Sequence, residues 1–262
     1  MPIHPTDAAW SRRLGILAFC LVLSACGTGP DKSGPGTGAG TWAGRSIGSP
    51  PAPKPGVKRA ILSRATREWQ YFGRQTVVFK GREESIPHVG DWEDDDSRYS
   101  GRVNDYWRAV GKPRLYGMNC RQPWSAAFMS WVMQGAGVPE SEFRRASAHW
   151  VYLSSIIEEA PYPGRYFVPR RIVDYSPNPG DLICAYRGGS RRASASSYVS
   201  SRGLTGTPAH CDLVVGKSGG TLEAIGGNVR NSVSKVTLDL DGSGRLQPVP
   251  RRPWFLIMEN RL

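Results

Sequence analysis

The chain has 262 residues, 34 Lys and Arg against 22 Asp and Glu, a formal charge of +12, and 39% hydrophobic residues with nine Trp. That apolar and aromatic content excludes a chain disordered throughout and is enough for one globular domain with a proper core. The basic balance suits an anionic partner such as cell-wall polymer or lipid headgroups, or solubility alone.

Residues 1–25 read as an export signal. Arg12 and Arg13 precede the apolar run Leu14 to Leu23, which is too short to span a bilayer. The run ends in Leu23-Ser24-Ala25-Cys26, which resembles the lipobox of bacterial lipoproteins. The resemblance implies cleavage before Cys26, lipidation of that cysteine and attachment to a membrane. Gly27, in place of Asp, implies the outer membrane, facing the periplasm. After export, nucleic acid is not an expected partner despite the charge.

Residues 26–57 are dominated by Gly, Pro, Ser and Thr, which bury too little apolar surface to offset ordering entropy, so a flexible tether is expected. Residues 58–262 are expected to fold. They retain three cysteines, Cys120, Cys184 and Cys211, in an oxidising compartment and without any CxxC spacing, so no zinc site is expected.

In chain order, Ile61, Ala65, Trp69 and Phe72 mark an amphipathic helix from Val57 to Gly73. The acidic run Glu93 to Asp96 reads as a solvated loop, and a short helix starts near Val103 and stops near Gly111. Trp124, Ala127, Phe128, Trp131 and Val132 form one apolar stripe after Pro123, a central helix closed by Gly135 and Gly137. Another helix is expected from about Ser147 to Glu159. Beyond residue 165 the period becomes extended, with strands at 181–186, 212–215, 221–225, 233–240 and 254–258. Helices first and strands second predict an α+β domain. The polar, Ser/Arg-rich connection 187–209 is either a flap or plain disorder. Cys184 and Cys211 each fall on a short strand, and adjacent antiparallel strands would bring them within disulfide reach.

Three residues stand out as candidates for chemistry: Ser125 in the first turn of the central helix, His210 opening a strand, and Asn228 after a strand. With the motifs W-S-A-A-F, G-D-L-x-C, H-C-D and I-G-G-N, this order resembles an uncharacterised bacterial lipoprotein domain family related to the NlpC and CHAP branch of papain-like peptidoglycan hydrolases. The resemblance covers roughly residues 58–262. It implies N-terminal helices packed on an antiparallel sheet, no cofactor and no metal, and peptidoglycan or muropeptides as partners, with a protein partner as a further option. Carried over by position, Ser125 is the nucleophile at a helix N-terminus, His210 the base and Asn228 the residue orienting it.

One departure matters. Hydrolases of this branch carry Cys where this chain has Ser125. A serine loses its proton only during attack, so the imidazolium that forms needs an anionic neighbour, and Asn in place of Asp in a serine triad costs about 10⁴ in rate. Asp212, two residues beyond His210, and Glu223 on another strand are the candidate carboxylates. His149 is either a structural histidine or part of the site wall. Trp124 is either core or the wall of a groove. Gly226 and Gly227 are expected to permit a tight turn presenting Asn228. Cys211 would face away from His210, whereas Cys120 remains an alternative thiol. Two functions stay open, amide hydrolysis of peptidoglycan peptides or a catalytically inactive module that binds muropeptides or a partner.

Overall fold

A computed structural model describes residues 56–188 and 199–262. The export signal, Cys26, nearly all of the tether and residues 189–198 of the Ser/Arg-rich connection lie outside the described residues.

The domain is α+β. Its helices are α1 (Val57–Tyr71), α2 (Ser97–Ala109), α3 (Ser125–Gly135), α4 (His149–Glu159) and the single turn α5 (Ser201–Leu204). The strands are β1 (Thr76–Lys80), β2 (Glu83–His88), β3 (Phe167–Arg170), β4 (Leu182–Tyr186), β5 (Ala209–Ser218), β6 (Thr221–Val229), β7 (Ser232–Asp239) and β8 (Trp254–Asn260). They form one sheet in the order β2-β1-β7-β6-β5-β4-β8-β3, antiparallel except where β1 runs parallel to β7.

Two expectations about order are corrected. β1 and β2 lie between α1 and α2, so the chain begins building its sheet before most of its helices. The acidic run is not simply solvated: Glu93 is buried, and Asp96 caps α2 by accepting from the Arg98 N–H at 2.8 Å. That cap starts α2 six residues before Val103, because it satisfies an otherwise orphaned helix donor.

Alternation along the central strands gives the sheet two apolar faces. Cys184, Cys211, Leu213, Ile225 and Met258 pack with Trp124, Phe128, Met129 and Leu153 of α3 and α4. Ile183, Ala185, Val214, Ala224 and Val236 instead pack with Ile172, Leu246 and Val249 from the connections flanking the sheet. Cys184 and Cys211 are register partners on β4 and β5 and form a disulfide, with Cα atoms 4.1 Å apart. The bond ties the two strands together one residue from His210.

Candidate functional site

Ser125 opens α3 at its N-terminal end, where backbone N–H groups lack intrahelical acceptors. Its Oγ lies 2.6 Å from Nε2 of His149, the first residue of α4. The other ring nitrogen, Nδ1, meets the hydroxyl of Tyr152, one turn along the same helix. Burial first, and then the neighbouring His210, hold the His149 imidazole well below its ordinary range. It is therefore neutral at physiological pH, with a neutral phenol rather than a carboxylate behind it.

His210 belongs to a second, adjacent group. Its Nε2 is 2.7 Å from Oδ1 of Asp212, and Oδ2 of Asp212 accepts from the Arg252 guanidinium. Asp212 is completely buried. Burial alone would raise its carboxyl, but the charges of His210 and Arg252 outweigh that and bring it down to about 2. Burial keeps His210 below the ordinary histidine range despite the opposing pull of Asp212. The two imidazole rings lie 5.6 Å apart, centre to centre.

The expected trio is thus rearranged. Ser125 is bonded to His149, not to His210, because α4 brings His149 directly against the start of α3. Asn228 does not orient an imidazole. With its side-chain oxygen turned toward α3, it accepts from the backbone N–H and the indole Nε1 of Trp124, each at 3.1 Å. It thereby holds the helix start, and its backbone has φ of +55°, a conformation Asn tolerates better than most residues. Trp124 is core, packed in tilted and edge-to-face contact with Phe72, Tyr106 and Phe128, and its indole N–H also meets Glu93. Of the two candidate carboxylates, Asp212 supports His210, while Glu223 pairs with Lys235 at 2.6 Å.

Gly226 and Gly227 serve close approach rather than a turn. A Cβ on Gly226 would stand 1.8 Å from Oδ1 of Asp212, and one on Gly227 would stand 2.6 Å from Phe128. Cys120 is an exposed free cysteine in the loop before α3. Desolvation of its sulfur, followed by the carboxyls of Glu93 and Asp94, pushes its thiol up to about 12, so it carries no thiolate.

A cleft of about 1430 Å³ opens beside this constellation. His210, Asn228, Arg252 and Trp254 line it, with β2 and the β7–β8 connection as walls. Ser125 and His149 are not among its lining residues, and they are only 2% and 4% exposed. Sequence reasoning missed Tyr152, Arg252 and Glu93. Tyr152 had a usable signal, three residues after His149 on one helix; Arg252 and Glu93 lie in connections with no periodicity to assign them a partner.

Neither the search of curated proteins nor that of solved structures gave a match. Residues 90–260 match the family model described as an uncharacterised protein conserved in bacteria (DUF2272). That match spans well over half of the chain, which therefore belongs to this family.

Proposed function

We propose that this protein is a cell-envelope lipoprotein whose papain-like domain binds the peptide part of peptidoglycan in the cleft beside His210 without cutting it. The observation that carries this reading is the division of the catalytic parts. Among the described residues, Ser125 has a histidine but no carboxylate hydrogen-bonded behind it, whereas His210 has a carboxylate but no nucleophile within hydrogen-bond distance. In a serine mechanism His149 would become an imidazolium in a dry site, hydrogen-bonded through Nδ1 to Tyr152 rather than to a carboxylate, with the charge of Asp212 too weak to offset burial and the neighbouring His210. That is the ion the surroundings already disfavour. The cleft itself is larger than a pocket for a drug-sized ligand, leaving room for a peptide, and has the mixed apolar and polar lining of a ligand site. The lipobox at Cys26 and the Gly/Pro-rich tether support an address at the outer membrane, from which the domain would reach the cell wall.

The test is a binding titration of the full-length protein, in detergent micelles, with purified muropeptides. Ser125→Ala is expected to bind as tightly as the wild type, because Ser125 does not line the cleft. His210→Gln, altering a residue that does, is expected to weaken binding several-fold. Equal binding by wild type and His210→Gln, or none by the wild type, would remove the reading.

A second reading, hydrolysis through Ser125, is favoured by one observation: its Oγ sits 2.6 Å from a neutral imidazole at a helix N-terminus. With the proton on Nδ1 and donated to Tyr152, Nε2 would accept the serine proton. Products formed by the wild type, lost in Ser125→Ala and restored or raised in Ser125→Cys would establish that reading instead.

A further inference from the structure

The walls of the cleft carry more information than its size. Among the described residues, five arginines line it, Arg187, Arg230, Arg245, Arg251 and Arg252, against two carboxylates, Glu84 and Asp241. Arg230 and Arg251 converge on the single carboxylate of Glu84, at 2.6 and 3.2 Å. Burial alone would raise the Glu84 carboxyl, but the hydrogen bonds and charges of these two arginines bring it below its ordinary value. One carboxylate cannot neutralise two guanidiniums, so this wall keeps a net positive charge and unused donors. Both arginine side chains are more than half exposed, at 52% and 68%, and so can turn toward a ligand.

A second observation is independent of charge. Trp254 lines the cleft and is 5% exposed, yet its indole Nε1 has no hydrogen-bond partner among the described residues. A buried donor left unpaired costs free energy that a ligand acceptor would recover. Across the opening, Ile86, Val89 and Trp92 are lining residues that remain 39%, 60% and 43% exposed, an apolar rim unusual for side chains of this size.

We infer that the cleft recognises an acidic peptide through a free carboxylate, received by Arg230 and Arg251, with the Trp254 indole N–H offered to a second acceptor of the ligand and an apolar side chain of the ligand against Ile86, Val89 and Trp92. Guanidinium forks match a carboxylate in geometry as well as charge, and the indole supplies a donor fixed in direction. The assignment rests on the binding reading above and adds the chemistry by which the ligand is held.

The experiment titrates the full-length protein in detergent micelles with two muropeptide preparations, one with free peptide carboxylates and one with the same carboxylates amidated. The free form is expected to bind, and amidation to weaken it roughly tenfold or more, as loss of charge-assisted hydrogen bonds does. The double variant Arg230→Gln/Arg251→Gln is expected to lower affinity for the free form to a similar degree and to flatten its salt dependence. This variant strips the Glu84 carboxylate, 9% exposed, of both partners, so it is accompanied by the triple variant that adds Glu84→Gln, which should unfold at the wild-type temperature and still show the lost affinity. Trp254→Phe, which keeps a ring and removes the N–H, is expected to lose affinity several-fold. Equal affinity for the free and amidated forms would overturn the carboxylate assignment and leave the binding reading standing. Binding of neither form would remove both.

Discussion

The Cys184–Cys211 bond lies in the sheet where the site is built, and breaking it tests what holds that sheet together. The two cysteines are 27 residues apart in sequence, so closing that loop restrains the unfolded chain by roughly 3.5 kcal/mol in the chain-entropy treatment. Both sulfurs are buried between strands already in register, so reduction leaves the native packing in place and acts mainly through the unfolded state. With a urea dependence of about 2 kcal/mol per molar, the unfolding midpoint should fall by roughly 1.8 M on reduction. The assay is urea unfolding followed by far-ultraviolet circular dichroism, with and without a phosphine reductant, on protein purified from the periplasm. A thiol count on the oxidised protein should find Cys120 slow to react while folded, because its thiol is held protonated, and should find it as the reactive thiol once the chain is unfolded in urea without reductant. A midpoint unchanged by reduction, or reactive thiols at Cys184 and Cys211 in the untreated protein, would refute the reasoning and weaken the case for export.

Other perturbations reach the same region. His149 and His210 are both held below the ordinary histidine range, so below about pH 6.5 the unfolded chain takes up protons that the fold resists. Their contribution to stability should therefore fall as pH drops from that point, and that of Asp212 should fall as it is protonated toward its value of about 2. Because Glu93 acts in the opposite sense over part of this range, the profile is read as wild type against His149→Gln, and equal slopes for the two between pH 7 and 4 would contradict this. Asp212→Ala leaves Arg252 and His210 facing a buried vacancy and should cost about 3–5 kcal/mol in urea unfolding. Glu93 has the opposite sign: burial raises its carboxyl to about 7, so its contribution is complete below the ordinary glutamate value and is lost as pH rises through about 7. Because Glu93 meets the Trp124 indole, tryptophan fluorescence should titrate near that pH and cease to do so in Glu93→Gln. Gly226→Ala places a methyl group against Oδ1 of Asp212 and should destabilise by about 1–3 kcal/mol, measurable as a lowered melting temperature.

Much of the architecture could be read from the residues because it rests on periodicity. The α3 stripe from Trp124 to Val132 specifies a buried helix, and the alternating runs from Leu182 onward specify strands. β2 escapes such reading because it is an edge strand with exposed residues and a proline at position 87, so neither of its faces imposes a pattern. β3 is four residues long and carries Pro169. The strands made two pairings accessible: adjacent antiparallel strands bring Cys184 and Cys211 within disulfide reach, and alternation sets residues 210 and 212 on one side of their strand. The pairing of Ser125 with His149 was not, since it depends on how the loop between α3 and α4 returns the chain. Asn228 illustrates the limit of motif reasoning. The residue sits beside α3 as expected, but its amide is spent on Trp124, which a one-dimensional motif does not reveal.

The central claim is a cleft that holds cell-wall peptide without cleaving it. It is tested most directly by incubating wild-type protein with a defined muropeptide at saturation, then recovering the ligand and measuring its mass. Saturable binding with the mass unchanged is the predicted result. A shorter peptide that appears with the wild type and not with Ser125→Ala would contradict it.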